Sequence, residues 1–260
     1  MLKEFSRKSK LRLKNYLLHE FGIQVSRRAP RGQEVFPSSV DPEFVRVYRR
    51  YCGLTMVPWK PLYWSWIAAR HIALNDIPGD VVECGVFRGG CSIIMATAHD
   101  RPAWLYDTFT GMSEPTEFDF KGENPGDRFD ARQRFAKANK GDHVDWVYSS
   151  IDEVREGIRQ SEVDEARFRL VKGKVEDTIP GKIPEQIALL RLDTDFYEST
   201  RHELEHLYPR LSPGGILIVD DYGSWAGSRK AVDEFLAQLP VRPLMLPEGS
   251  SANILLVKQH

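Results

Sequence analysis

The chain has 260 residues, of which 42% are hydrophobic and 28% charged, so it suits one soluble domain with a short extension and excludes a disordered chain or a small disulfide scaffold. The formal net charge is -1, whereas a general nucleic-acid binder carries a strong positive charge. Nucleic acid is therefore not an expected partner. No run approaches the roughly 18 consecutive apolar residues of a membrane span, and the first residues lack a secretory apolar core. We therefore expect a cytoplasmic protein without membrane association.

Three cysteines, Cys52, Cys84 and Cys91, are odd in number and lack Cys-x-x-Cys spacing. Neither a disulfide framework nor a zinc site is indicated by this pattern. We expect reduced and mostly buried thiols.

Residues 1–50 differ from the rest of the chain in charge, with twelve Lys or Arg against five Asp or Glu. Basic and apolar side chains alternate between Lys3 and Leu17, which predicts a basic amphipathic helix that packs on its own domain. Alternatively, this helix contacts a partner subunit, as in a homodimer, or an acidic membrane surface. Residues 26–42, rich in Arg, Pro and Gly, predict a linker. We divide the chain into a basic helical extension over 1–50 and a domain over 51–260.

From Pro61 the apolar spacing predicts a helix, which the sequence Ile77-Pro78-Gly79-Asp80 ends. Strand-like apolar runs follow at 81–84, 103–106, 168–171, 187–192, 215–219 and 253–257. Helical patterns lie between them at 92–99, 130–139, 199–211 and 229–239. Continuous apolar strands that alternate with helices predict an α/β fold, with a mainly parallel sheet covered by helices on both faces.

A glycine-rich turn links the first predicted strand to the following helix, in the sequence Glu83-Cys84-Gly85-Val86-Phe87-Arg88-Gly89-Gly90-Cys91-Ser92. The dinucleotide motif Gly-x-Gly-x-x-Gly is excluded, because Glu83 and Arg88 stand where its first and third glycines belong. A carboxylate at Glu83 disfavours a diphosphate and suits the cationic amino-acid end of S-adenosylmethionine. A turn that binds nothing is the alternative.

An acid also ends the second predicted strand, since Asp107 lies 22 residues after Gly85. An acid about 20 residues after the glycine turn grips the ribose diol in Rossmann-like sites. A turn or helix-capping aspartate is the alternative interpretation. After the third strand, Val175 and Glu176 are candidates for an adenine pocket.

Four carboxylates follow two further strands, Asp193 and Asp195 after one and Asp220 and Asp221 after the next. The ends of these strands meet at one edge of a parallel sheet, where clustered like charges are costly without a cation. An all-oxygen set favours Mg²⁺ over zinc. The alternative is that Asp195 and Asp221 cap the helices after them.

Together these residues resemble the S-adenosylmethionine- and Mg²⁺-dependent sugar O-methyltransferases of the macrocin and mycinamicin type (TylF/MycF-like). The resemblance is carried by the following blocks: Leu54-Thr55-Met56, 82–90, Asp107-Thr108-Phe109-Thr110-Gly111, 192–200, 207–215, Asp220-Asp221-Tyr222 and 230–235. It covers the first fifty residues poorly. It implies a class I methyltransferase fold, a Rossmann-like sheet that is mostly parallel and whose last strand, at 253–257, runs antiparallel.

The resemblance also implies the site residues. The implied cofactor contacts are Thr55, Met56, Glu83, Cys84, Gly85, Val86, Gly89, Ser92, Asp107, Phe109, Ser113, Val175 and Glu176. The implied Mg²⁺ ligands are Asp193, Asp220 and Asp221. Residues 111–130 are similar to the mobile lid of this family.

The implied reaction transfers a methyl group to a sugar hydroxyl of a glycoside or deoxysugar, in the biosynthesis of a natural product such as an antibiotic or of a surface glycan. Metal chelation by two neighbouring hydroxyls would lower the pKa of one of them. Asp193, Asp195 and His143 are candidates for the catalytic base. Some relatives use a lid histidine, and this chain has none between Gly111 and Gly141.

Two other functions stay open. A catechol-type O-methyltransferase would use the same fold with apolar walls for a small phenolic diol, and the available aromatic side chains are Trp59, Trp64, Trp66 and Trp225. A non-catalytic assembly protein that binds S-adenosylmethionine would use the basic extension as its interaction surface. The clustered carboxylates argue against this last function.

Overall fold

The computed structural model describes residues 30–122, 128–247 and 253–259. The basic helix predicted between Lys3 and Leu17 lies outside these residues. The helices are α1 Pro42–Tyr51, α2 Trp59–Leu74, α3 Gly90–Ala96, α4 Ala131–Ala138, α5 Ile151–Arg159, α6 Val175–Thr178, α7 Tyr197–Leu207 and α8 Ala226–Ala237. The strands are β1 Asp80–Cys84, β2 Ala103–Asp107, β3 Phe120–Lys121, β4 Phe129–Asp130, β5 Phe168–Lys172, β6 Ile187–Leu192, β7 Leu211–Val219, β8 Met245–Pro247 and β9 Ile254–Val257.

Seven strands form one sheet in the order β5-β2-β1-β6-β7-β9-β8. β5, β2, β1, β6 and β7 run parallel, and β9 runs antiparallel to β7. The chain moves outward from β1 to β2 and β5, then returns to β6 on the other side of β1. This reversal between β1 and β6 is the switch point at which open α/β sheets bind ligands. The predicted doubly wound sheet with an antiparallel last strand is confirmed.

The sheet separates two hydrophobic layers because successive strand residues point to opposite faces. In β1, Val81 packs in one layer with Trp66 and Ile93, whereas Val82 packs in the other with Leu204. α1, α2 and α3 contribute to the first layer, and α7 and α8 to the second. Both faces of the central strands are therefore buried, as their continuous apolar runs predict.

Two predicted boundaries near β7 were wrong. The helix predicted over 199–211 ends at Leu207, and a 3₁₀ turn over Tyr208–Arg210 replaces its last turn. Pro209 explains this, since it cannot continue a helix interior. β7 begins at Leu211 rather than at Gly215, because the turn-like sequence Ser212-Pro213-Gly214 is accommodated in the strand.

α1 crosses residue 50, where the sequence predicts that the extension ends. Its side chains Phe44, Val47 and Tyr48 are buried in the same cluster as Trp66 of α2. Residues 42–50 therefore pack against the sheet layer, and the separate extension stays a prediction for the residues before them. Within the described ranges, none of the helices has the length and apolar character needed to cross a membrane.

All three cysteines are free and buried, as expected. Burial raises the pKa of the Cys84 and Cys91 thiols well above the usual value. Thiols in that state are poor nucleophiles.

His99, which follows α3, gives the fold a pH dependence. Its Nδ1 atom accepts a hydrogen bond from the backbone N–H of Arg101 and lies 3.1 Å from a guanidinium nitrogen of Arg167. Burial lowers the pKa of His99 to about 3, and the charges of Arg167 and Arg101 add to this effect. Between about pH 6.5 and pH 3 the unfolded chain therefore binds a proton at this side chain that the folded protein does not.

We expect acid to destabilise the wild type more than His99→Asn. The pKa of His99 is lower in the folded protein than in the unfolded chain. The stability that depends on the neutral form of His99 is therefore present above pH 6.5 and is lost as the pH falls. From pH 7 to pH 4 the free energy of unfolding should fall by about 3 kcal/mol more for the wild type than for the variant. Urea titrations at several pH values measure the difference, with the exposed His71→Asn as control. Parallel pH curves for wild type and His99→Asn would contradict the expectation.

Candidate functional site

A cavity of about 240 Å³ lies at the carboxyl ends of the parallel strands, at the switch point. Every parallel strand contributes residues to it from the loop that follows. The predicted site residues that line it are Thr55, Met56, Glu83, Gly85, Val86, Asp107, Ser113, Val175, Glu176, Asp193, Asp195, Asp220 and Asp221. The structure therefore brings most of the predicted site residues into one cavity.

Gly85 allows the β1 and β6 loops to approach each other closely. It has φ +85°, and a Cβ atom built on it would lie 1.9 Å from the carbonyl oxygen of Asp193. Its N–H donates to Tyr106 O, and the N–H of Asp193 donates to Cys84 O, at 2.9 and 2.8 Å. Only glycine combines this backbone conformation with this contact. The glycine-rich turn thus fixes the position of Asp193.

Asp107 orders the glycine-rich loop through its carboxylate. Oδ2 accepts hydrogen bonds from the N–H groups of Val86 and Phe87 at 2.8 and 3.1 Å. Oδ1 accepts from the N–H of Phe109 at 2.7 Å, so the residue is also the turn aspartate of the alternative interpretation. Burial raises the pKa of Asp107, and these backbone donors oppose that effect. Asp107 lines the cavity, so it presents a carboxylate of fixed orientation to a ligand bound there.

Glu83 lines the cavity but is almost fully buried, and both of its carboxylate oxygens accept hydrogen bonds. Its Oε1 accepts from Arg191 Nη1 at 2.8 Å, and its Oε2 accepts from the hydroxyl of Ser92. Burial raises the pKa of Glu83, and the charge of Arg191 opposes this. Glu83 therefore contributes a carboxylate whose position is set by neighbours on β6 and α3.

The carboxylates after β6 and β7 converge as predicted. Asp193, Asp220 and Asp221 each offer an oxygen, and these oxygens lie within 4.8 Å of one another. Burial raises the pKa of Asp220 to about 7, with a further contribution from Asp193, and raises that of Asp195 to about 6. Burial and repulsion from Asp195 raise the pKa of Asp221 well above its usual value. Full ionisation of these carboxylates is therefore costly without a cation.

These residues suit a divalent cation. The donor set is all carboxylate oxygen, which hard ions such as Mg²⁺ prefer. Asp221 Oδ2 is buried and has no hydrogen-bond partner among the described residues. Neither Asp195 nor Asp221 caps a helix, because α7 and α8 start after Phe196 and Trp225 without side-chain caps. The capping alternative is therefore wrong.

Five predicted site residues do not line the cavity. Two of them contact lining residues: the Ser92 hydroxyl donates to Glu83, and the N–H of Phe109 donates to Asp107. Cys84 is buried in the second hydrophobic layer, and Gly89, with φ +80°, is the N-cap residue directly before α3. The candidate base His143 lies against Tyr148, with Nδ1 2.8 Å from Asp142 Oδ1. The structure does not bring His143 into the cavity with the carboxylates.

The predicted lid is anchored beside the carboxylates. Asp119 is buried, and its Oδ1 accepts from the N–H of Tyr197 at 2.8 Å, at the start of α7. The ring of Phe129 lies 6.0 Å from that of Trp225, which follows Asp221 by four residues. β3 and β4 pair as a short hairpin between these points. Its mobility stays a prediction.

Two residues that contact the carboxylates of the site were missed in the sequence analysis. Arg191 is fully buried in β6 and forms ion pairs with Glu83, Asp193 and Asp220. Asn253 donates from Nδ2 to Asp220 Oδ1 at 2.7 Å. A charged residue within the otherwise apolar strand Ile187–Leu192 is a signal of a buried partner, since unpaired buried charges are rare. Asn253 carries no comparable signal.

The chain is similar in sequence to known methyltransferases. The family described as Macrocin-O-methyltransferase (TylF) matches residues 48–245. Demethyldecarbamoylnovobiocin O-methyltransferase of Streptomyces niveus is 36% identical over 173 residues, which are 64% of this chain and 62% of that protein. Mycinamicin III 3''-O-methyltransferase of Micromonospora griseorubida is 37% identical over 170 residues, 63% of each chain. The matches thus span less than two thirds of these relatives.

Among solved structures, the O-methyltransferase NovP is similar with a TM-score of 0.68 and 30% sequence identity, over 80% of this chain and 83% of that chain. The sheet order and the antiparallel β9 are those of class I methyltransferases, which use S-adenosylmethionine. The matched residues include the glycine-rich turn, Asp107 and all four clustered aspartates. The chain belongs to the macrocin O-methyltransferase (TylF) family.

Proposed function

We propose that this protein transfers the methyl group of S-adenosylmethionine to a sugar hydroxyl of a small glycoside, with Mg²⁺ as the second cofactor. The observation that carries the proposal is one cavity lined by two groups of acids. We call Glu83 and Asp107 the cofactor end, and Asp193, Asp220 and Asp221 the cation end. A cofactor end and a cation end within one cavity suit transfer between two bound molecules.

At the cofactor end, the chain offers groups for each part of S-adenosylmethionine. The carboxylate of Asp107 is placed for the ribose diol, and Val175 with Glu176 for the adenine. Glu83 adds negative charge near the amino-acid end. Thr55 and Met56 close the cavity from the loop before α2. These assignments support the cofactor half of the proposal.

At the cation end, Asp193, Asp220 and Asp221 would hold Mg²⁺. When bound, Mg²⁺ supplies Lewis acidity that lowers the pKa of a coordinated sugar hydroxyl. Asp195 lines the same cavity, and a carboxylate there is placed to accept a proton. The position of His143 outside the cavity favours a carboxylate base.

A sugar is favoured over a flat phenolic diol by the placement of the tryptophans. Trp66 is buried in the core, where its Nε1 donates to Thr97, and Trp64 is exposed on α2. Neither lines the cavity. The apolar walls that a catechol site requires are therefore not supplied by α2.

Methyl transfer from radiolabelled S-adenosylmethionine tests the proposal. The acceptors are demethyldecarbamoylnovobiocin and mycinamicin III, the glycosides named for two relatives, with catechol for comparison. We expect label in at least one glycoside, loss of transfer by about 10³-fold with EDTA, and recovery with added Mg²⁺, because a metal contributes several kcal/mol to such a reaction. Transfer to catechol alone would favour the catechol-type enzyme. Transfer that EDTA leaves unchanged would overturn the metal assignment.

A further inference from the structure

Arg191 is a buried cation at the centre of the site, with no exposed surface. Its Nη1 donates to Glu83 Oε1 at 2.8 Å and to Asp193 Oδ2 at 2.7 Å, and its Nη2 donates to Asp220 Oδ1. One guanidinium thus touches an acid from each of three neighbouring parallel strands or the loops after them. Arginine suits this position, because its planar fork of donors stays charged at all relevant pH values.

Asn253 adds a second donor to the same arrangement. It is 8% exposed, stands directly before β9, and its Nδ2 donates to Asp220 Oδ1 at 2.7 Å. Asp220 Oδ1 therefore receives donors from two sides, and Asp193 Oδ2 receives one. Asp193 Oδ1 and Asp220 Oδ2 accept no hydrogen bond from the part of the chain that the structure describes.

In Asp193 and in Asp220, one carboxylate oxygen accepts hydrogen bonds from Arg191 or Asn253, and these bonds fix the orientation of the carboxylate. When one oxygen is held by a protein donor, the carboxylate cannot rotate freely and the other oxygen keeps a fixed direction. Asp193, Asp220 and Asp221 each offer an oxygen, and these three oxygens lie within 4.8 Å of one another. Arg191 does not remove the need for a cation, because its single positive charge is already paired with Glu83, Asp193 and Asp220. Asp195 and Asp221 line the same cavity without pairing with it.

We propose that Arg191 and Asn253 are positioning residues, which hold one oxygen of Asp193 and of Asp220 so that the other oxygen of each binds a divalent cation. The inference rests on the proposed function, because it requires the cation site. Residues that orient metal ligands are typically worth 10- to 100-fold in metal affinity. Arg191 also ties Glu83 to the same unit, whereas Asn253 touches only the cation end.

Mn²⁺ binding, followed by electron paramagnetic resonance in the complex with S-adenosylhomocysteine, tests the inference. Asn253→Ala should weaken Mn²⁺ binding by about tenfold, with unchanged melting temperature and unchanged S-adenosylhomocysteine affinity. Arg191→Lys keeps the charge and removes the fork, and it should weaken Mn²⁺ binding by about 10- to 100-fold. Asn75→Ala, an exposed asparagine on the far end of α2, serves as the matched control and should change nothing.

The outcomes separate the two proposals. If the wild type binds no Mn²⁺, the cation site fails and the positioning role fails with it. If the wild type binds Mn²⁺ and both variants bind it equally well, the positioning role is overturned while the cation site stands. If Arg191→Lys does not fold, the Mn²⁺ affinity of Asn253→Ala decides the question. Among the described residues, the Asn253 side chain makes one hydrogen bond, to Asp220. A change in the Mn²⁺ spectrum at constant melting temperature is a result that a merely structural role would not give.

Discussion

Asp220→Ala is expected to abolish Mg²⁺ binding while S-adenosylhomocysteine still binds. Asp220 supplies one of three carboxylates in the cluster, and its removal leaves two. Loss of a direct ligand should cost more than about 100-fold in Mg²⁺ affinity, because even residues that only orient a ligand cost up to that amount. Asp107 and the glycine-rich loop after β1 are held together by hydrogen bonds that do not involve the Asp220 side chain. Calorimetric titration with S-adenosylhomocysteine and then with Mg²⁺ measures both effects.

Asp152→Asn is the matched control for this titration. Asp152 is an exposed acid in the first turn of α5 and pairs only with Arg155. The same change in formal charge should leave both titrations unchanged. Mg²⁺ binding by Asp220→Ala as tight as in the wild type would exclude the carboxylate cluster as the metal site. Loss of S-adenosylhomocysteine binding in the variant would instead mean that the two ends of the cavity are not independent.

The sheet could be predicted because its strands are buried on both faces. Ile187–Leu192 reads as one apolar run, and the structure gives the strand these bounds. The convergence of Asp193 with Asp220 and Asp221 follows from the same fact, since parallel neighbours end at one edge. Strand order was therefore enough to bring together residues far apart in the chain.

Three helices were missed, α1, α5 and the single turn α6, although the signals of α1 and α5 are present. α5 starts with Ser150 and Glu153, which form a capping box, and Ser-x-x-Glu is a signal that can be read in a sequence. α1 has Phe44, Val47, Tyr48 and Tyr51 at helical spacing after the cap Asp41. Both segments are rich in charged residues, so their composition alone does not distinguish them from solvated loops.

The site was less predictable than the sheet wherever contacts depend on side-chain direction. The sequence places Arg191 in a strand but does not say that it turns toward Glu83 on β1 and Asp220 after β7. Asn253 reaches Asp220 only because β9 runs antiparallel beside β7. The prediction that clustered acids require a cation was therefore incomplete, because the protein supplies one of its own.

Gly85→Ala is expected to disrupt both ends of the cavity at once. Alanine at φ +85° is strained by about 1–2 kcal/mol, and its Cβ would meet the backbone oxygen of Asp193 at 1.9 Å. Backbone cannot move aside as a flexible side chain can, so the β1 and β6 loops must separate. Overpacking adds about 1–3 kcal/mol, and we expect the free energy of unfolding to fall by about 3 kcal/mol or more.

The effect on binding should exceed the effect on stability, which distinguishes a displaced site from a weakened fold. Separation of the loops moves Asp193 away from Asp220 and moves the N–H groups of Val86 and Phe87 away from Asp107. S-adenosylhomocysteine and Mg²⁺ binding should therefore both be lost at temperatures where circular dichroism still shows a folded protein. Gly53→Ala is the control, because a Cβ there meets nothing within 4 Å. Intact binding of either ligand by Gly85→Ala would mean that this close approach does not hold the site together.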